Sequence, residues 1–392
     1  MLRKVFIAVA LLILALVAVG IYVAHWSGSY LAKVVREDQQ KWQPRVITGS
    51  GRFNKSTFYT DVNLGEISQI LRGWPADREG AVLTVVGNKS ADFLDARGGL
   101  KLQIQFSKFV PTTVEAVQLD ASGDYGFLTR DESWGVDVVL FDKEGQEGWS
   151  YSGPILTGID DSMMGDLGGD GKSKVVVGLN GRGGLVVLDR DGKKLWRKPE
   201  GNVWHVETLD TKGDGRRQIL HTNAQGQLLV RDALGEIIAH YVPNNYVSFF
   251  ALTRWGGEAQ PRHILVPTGE NGGQRDKPVF LVLDAQGRVV AHLDASLGGL
   301  MDRAEGTPVR YSRNGEYYAI LQNKNVSKRS VLCLYDHAGR IAYQEILGDY
   351  CHGLTAFPGQ LGDKLLVGCS GTVWEYSINA DSEPAPRANH TR

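Results

Sequence analysis

One short pattern returns along most of the chain: a hydrophobic run ending in Asp, then two residues, then Gly. It reads LVVLDRDG at 185–192, VVLFDKEG at 138–145, LLVRDALG at 228–235, FLVLDAQG at 280–287, LCLYDHAG at 332–339 and DFLDARG at 92–98, with TVWEYSIN at 372–379 as a degenerate last copy. The corner positions are Asp95, Asp142, Asp189, Asp232, Asp284, Asp336 and Ser377, at intervals of 47, 47, 43, 52, 52 and 41 residues. Such a period matches one four-stranded blade of a propeller. The chemistry of the corner is that of a hairpin: Asp accepts from backbone N–H groups just beyond it, and Gly takes the positive-φ position that closes the turn.

A second hydrophobic run precedes each corner, for example VVVGL at 175–179 and ILHTN at 219–223, and before several of these lies an acidic turn, DASGD (120–124), DLGGD (166–170) or DTKGD (210–214). Each unit therefore reads strand A, acidic turn, strand B, Gly-rich link, strand C, Asp corner, strand D. The predicted fold is all-β, a propeller of seven four-stranded blades over residues 51–379. The seventh unit has no convincing strand D after Ser377, so ring closure predicts that a strand from residues 42–60 fills the gap. The 48 Gly against 13 Pro fit many tight turns. A net charge of −1 gives no electrostatic footprint for nucleic acid.

The N-terminus is a separate object. Arg3 and Lys4 precede an uncharged run, VFIAVALLILALVAVGIYVA at 5–24, and roughly 20 apolar residues are what a helix needs to cross a bilayer. The run is longer than the apolar region of a cleaved signal peptide. It predicts an uncleaved single-pass anchor, with residues 1–4 as a cytoplasmic tip and the rest periplasmic or extracellular; the alternative is a signal peptide cleaved at AVG, 18–20. Residues 25–50 read as a stalk. The tail 380–392, with its Pro and polar residues, reads as disordered.

Residues 165–189, GDLGGDGKSKVVVGLNGRGGLVVLD, resemble the FG-GAP/VCBS repeat, and LVVLDRDGKKLW at 185–196 is similar to the repeat of PQQ-type propellers. The first resemblance implies calcium loops built on Asp166/Asp170, Asp210/Asp214 and Asp120/Asp124. The third loop position is Gly168 or Lys212 and the ninth is Lys174 or Gln218, where calcium would want oxygen. A turn whose Asp pair bonds the backbone is the preferred reading, with calcium as the alternative. The second resemblance implies a quinone funnel, but no adjacent pair of Cys is present to stack on a quinone, so no cofactor is expected.

The entrances to the A strands supply Asp160, Asp161, Trp204, His205, Tyr246, Asp302, Arg303, Glu305 and His352. Of these, His205, His352, Asp160, Asp302 and Arg303 are the candidates for catalysis in a polar funnel. Trp204, His205, Tyr246 and His352 are the candidates for a ligand face. No nucleophile elbow, zinc helix or phosphate loop accompanies them. Pairing of strands A and B in blade seven would bring Cys351 near Cys369, allowing a disulfide, with buried free thiols as the alternative. The leading expectation is a membrane-anchored, extracytoplasmic scaffold that binds protein or polysaccharide. The alternatives are a propeller enzyme (lyase, hydrolase or oxidoreductase) and a structural subunit of an envelope assembly complex. Fold alone does not choose among them.

Overall fold

The structure is a computed structural model that describes residues 28–75, 80–108, 113–130, 137–257, 261–268, 279–294, 296, 303–312, 315–324, 327–359 and 362–379. The predicted anchor at 5–24 and tail at 380–392 lie outside the described residues. Among the described residues, no helix is long and apolar enough to cross a membrane.

The described strands form seven antiparallel sheets. Blades one to five run in chain order, with inner strands Ile67–Arg72, Thr113–Gln118, Ile159–Gly165, Val203–Leu209 and Ala251–Thr253. Blades six and seven begin with Arg303–Ser312 and Leu354–Pro358. The missing strand D of blade seven is Phe53–Thr60, which pairs antiparallel with Thr372–Ile378. The prediction of closure by an N-terminal strand therefore holds.

One feature of the closure had no sequence signal. Arg45–Thr48, counted above with the stalk, pairs with Ile341–Leu347 as a fifth, outermost strand of blade six. Before it, residues 28–41 form a helix, and Trp42 is buried among Leu265, Phe280 and Ile320 between blades five and six. The N-terminal segment is thus threaded into three consecutive places on the ring.

The B and C strands read as unbroken hydrophobic runs because both faces of each blade are covered by its neighbours. In blade three, Val175, Val176, Val177, Leu185, Val186, Val187 and Leu188 are all fully buried. Each such side chain contributes roughly 1.5–3 kcal/mol of transfer free energy. Outer strands alternate instead, as in Lys194–Lys198, where only Trp196 and Lys198 are partly covered.

The Asp corners repeat with little variation. At Asp189, Oδ1 accepts from the N–H groups of Asp191 (3.0 Å) and Lys193 (2.9 Å), and Asp232 does the same with Leu234 and Glu236 at 2.9 Å. The corner glycines Gly98, Gly145, Gly192, Gly235, Gly287 and Gly339 have φ between +77° and +82°. A side chain there would be strained and would also strike the preceding blade: a Cβ on Gly192 would lie 2.7 Å from Trp149. That Trp donates Nε1–H to Arg190 O at 2.8 Å, Trp196 donates to Ala233 O at 3.0 Å, and Tyr241 donates its hydroxyl to Ala285 O at 2.8 Å. In blades two, three and four the outer aromatic is thereby latched to the next blade's corner.

Candidate functional site

The inner strands of blades two, three and four bring Glu115, Asp161, His205 and Glu207 together around Arg130, the last residue of Tyr125–Arg130. Its Nε lies 2.8 Å from Asp161 Oδ1. Its Nη1 lies 3.1 Å from Glu115 Oε2 and 3.3 Å from Glu207 Oε1. Nδ1 of His205 lies 2.5 Å from Asp161 Oδ2 and 2.9 Å from Arg130 Nη2. Backbone N–H groups of Ser162 and Val206 donate to the same Asp161 carboxylate at 2.9 and 3.0 Å. Arg130 is 3% exposed, Asp161 0% and His205 1%. Charges this deep are tolerated only when paired and hydrogen-bonded, and here one guanidinium serves three carboxylates.

His205 is further walled in by Phe249 and Phe250, with ring centroids 4.0 and 4.6 Å away. The second histidine candidate belongs to a different network. His352, also 1% exposed, has Nδ1 2.9 Å from Asn323 Nδ2 and 3.9 Å from Glu305 Oε1. Glu305 accepts from Gly353 N at 3.1 Å, and Ser330 Oγ links Asn323 to Cys351 N. The two histidines therefore do not share a set of partners, and neither is presented at a surface. Asp160 is buried beside Asp161. Asp302 and the side chain of Arg303 lie outside the described residues.

Trp204 and Tyr246, expected on a ligand face, do come together, their ring centroids 6.2 Å apart and both half-buried. Gly226 underlies this pair at φ +70°, where a Cβ would fall 2.2 Å from the Tyr246 ring.

The acidic turns spend their carboxylates on the backbone. Asp166 Oδ1 accepts from Gly168 N (3.1 Å), Gly169 N (2.7 Å) and Asp170 N (3.3 Å), and Oδ2 accepts from Gly171 N (2.8 Å). Asp210 repeats the arrangement with the N–H groups of Lys212, Gly213, Asp214 and Gly215. Lys174 Nζ lies 3.5 Å from Asp170, and Arg190 lies 3.5 Å from Asp120 and 3.9 Å from Asp124. The Asp170 carboxyl sits below the usual carboxylate range because Lys172 N–H donates to it and Lys174 is near. These carboxylates point at N–H donors and side-chain cations, the arrangement of a self-contained turn. Among the described residues, no group of three or more His, Cys, Asp or Glu is gathered as a metal centre.

Cys351 and Cys369 are bonded, Sγ to Sγ at 2.06 Å, tying strands A and B of blade seven. Cys333 is a buried free thiol whose pKa burial pushes up to about 12.

Sequence reading missed Glu115, Arg130 and Glu207. Arg130 ends the run GFLTR, read only as a hydrophobic strand. The one available signal was a charge closing an otherwise apolar B strand.

The seven sheets define a seven-bladed β-propeller with a cluster of charged side chains gathered on its inner ring. No protein-family model matches the chain, and none of the curated proteins does. Solved structures do. The BBS1N propeller, crystallised in complex with ARL6DN, aligns with TM-score 0.50 at 12% identity, covering 84% of this chain and 98% of that one. The Pan2 WD40 domain of Neurospora crassa aligns at 0.48 and 11%, over 85% and 97% of the two chains. BamB from Moraxella catarrhalis aligns at 0.42 and 14%, over 88% and 96%. At 12% identity the likeness to BBS1N speaks to the fold alone.

Proposed function

We propose that the chain is a non-catalytic scaffold whose propeller holds a protein or glycan partner on one face. The observation that carries this reading is the burial of both histidine candidates: each is 1% exposed with its ring bonded inside the ring of blades. A general base must reach its substrate, and these two instead hold neighbouring strands in register. A half-buried aromatic feature at the strand entrances is the Trp204–Tyr246 pair, of the kind that stacks on a partner's side chain or a sugar. BBS1N, of similar fold, was crystallised with a protein partner.

The run at 5–24 anchors this scaffold in a membrane, with the propeller periplasmic or extracellular. A disulfide supports that side, since such bonds persist in oxidising compartments. Descent of the acidic turns from an FG-GAP/VCBS-type repeat belongs to the same reading, on the Asp166/Asp170 and Asp210/Asp214 spacing. A place in an envelope assembly complex is its narrower form.

Photo-crosslinking residues at positions 204 and 246, and separately at Leu234 on an exposed Asp corner, test it in native membranes. A partner captured reproducibly from one of these faces and not from the other is expected. Capture from neither, together with a turnover lost in His205→Ala, would replace the scaffold with an enzyme.

A further inference from the structure

Two segments far apart in the chain reach the same face of the ring, the one from which the B–C links emerge. The first is the helix over residues 28–41. Near its end Gln39 Nε2 lies 3.5 Å from Ser327 O, in the B–C link of blade six. Tyr30 and Leu31, near its start, are 59% and 62% exposed. The apolar run at 5–24 stops three residues before this helix. Helical rise and extended reach together let the chain from Ala24 to Gln39 span at most ~30 Å.

The second segment is the tight turn between strand D of blade two and strand A of blade three. Thr157 N–H donates to Pro154 O at 3.0 Å, which sets Ile155 and Leu156 at the tip. They are 93% and 96% exposed, more than any other large hydrophobic among the described residues. Leu156 has φ +66°, at a turn position that Gly or Asn ordinarily takes. The base of the turn is fixed: Gly158 N–H donates to Asn180 Oδ1 at 2.8 Å, and Asn180 N–H returns to Gly158 O at 3.0 Å. Asn180 opens the B–C link of blade three. Neither the turn GPILTG (153–158) nor the link NGRGG (180–184) contains Asp or Glu, whose desolvation would oppose burial of the tip in an apolar medium.

Blades three and six lie nearly opposite in the ring of seven. One face therefore carries a tether on one side and a rigid aliphatic tip on the other. Two bare aliphatic side chains on a strained backbone are unfavourable in water. They offer far less than the roughly 800 Å² per partner of a stable protein interface, whereas insertion into a bilayer needs no complementary surface.

We infer that the face bearing the B–C links is turned to the bilayer, and that Ile155 and Leu156 enter the headgroup–acyl boundary as a second contact opposite the helix. The inference rests on the reading of 5–24 as an anchor and deepens it, since it says which face the anchor presents. The Trp204–Tyr246 pair, at a strand entrance on this face, then holds its partner close to the membrane.

The full chain reconstituted into phosphatidylcholine vesicles tests it, with a nitrobenzoxadiazole fluorophore on Leu156→Cys or on Leu234→Cys. Leu234 is 72% exposed on an Asp corner, on the opposite face. The parent chain should take up no label, because Cys333 is buried and the other two Cys are bonded. Doxyl groups on the lipid acyl chains should quench the label at position 156 at least threefold more than at 234. Adding Ile155→Asp to the chain labelled at 156 should at least halve that quenching without releasing the protein from floating vesicles. Equal quenching at the two positions would overturn the inference. So would an unquenched label at 156 in a chain that floats, an outcome that assigns the tip to a protein partner. A chain that does not float at all removes the anchor reading, and this inference with it, so flotation and quenching separate the two failures.

Discussion

Where blades two, three and four meet, the inner ring is joined by charge. Where blades six and seven meet, it is joined by aromatic rings, a disulfide and a strand from the other end of the chain. In the first region Arg130 gathers Glu115, Asp161 and Glu207 within 3.3 Å. In the second, Phe53 packs against Tyr311 and Tyr343 at 5.0 and 4.9 Å, and Glu345 accepts from the hydroxyls of Tyr343 and Tyr376 at 2.8 Å. Lys55 joins that carboxylate at 2.9 Å while its ammonium lies 4.9 Å from the Trp374 ring. The difference teaches that the two regions fail differently. A desolvated ion network loses everything when its shared partner goes. A seam of aromatic rings with one Lys–Glu pair and a covalent tie loses stability in increments.

The largest effect should therefore come from Arg130→Met. It leaves three buried carboxylates without their common cation, and about 3–5 kcal/mol of stability should disappear from a urea unfolding curve. A loss below ~1 kcal/mol would mean that the network contributes little, and that the two regions are energetically alike. At the closure, the double variant Cys351→Ser, Cys369→Ser opens a crosslink spanning 18 positions and should lose about 3 kcal/mol by the same measurement. Thiol reductant should lower the parent's stability by the same amount and leave the variant unmoved.

The third prediction uses pH. His221, within blade four, accepts from Arg231 Nε at 2.9 Å, and its pKa is pushed down to about 3 by burial and by the Arg231 charge. An unfolded His titrates near 6.5, so between these values the unfolded chain binds a proton that the native state refuses. Stability should then fall as pH drops below about 6.5, by about 2 kcal/mol at pH 5. His221→Gln, which still offers an acceptor to Arg231, should flatten that slope. An unchanged slope would assign it to other groups. The corner carboxylate of Asp95 acts lower. Donation from Gly99 and Arg97 depresses its pKa, so its contribution is present above the usual carboxylate range and lost only below it.

The ring was legible because its signals are local. An Asp corner lies within five residues, and a doubly covered strand is apolar throughout, so each blade announces itself without reference to the next. The charged cluster was half legible: Asp161 and His205 stood at recognised strand entrances. Glu115 and Glu207, however, are single charges on inner strands, and only the curvature of the ring decides that both face Arg130. The fifth strand of blade six was illegible for a related reason. Arg45–Thr48 is short, and its partners Gln344, Glu345 and Ile346 are known only once the ring has closed. The pairing of Trp204 with Tyr246 likewise depends on two blades meeting.

The way the ring is fastened also orders events during synthesis. Asn379 Nδ2 donates to Gly51 O across 328 positions, and the strand at 53–60 has no sheet to join until residues 372–378 exist. The ribosome thus delivers one half of the clasp before the blades and the other half after them. Blades one to five can pair their own strands as they emerge, while residues 45–60 wait as an unpaired β-segment, the kind of species that invites intermolecular pairing. Closure must wait for residues 372–378, and its slowness follows from its span. A chain stalled short of residue 372 would be an open arc with two sticky ends.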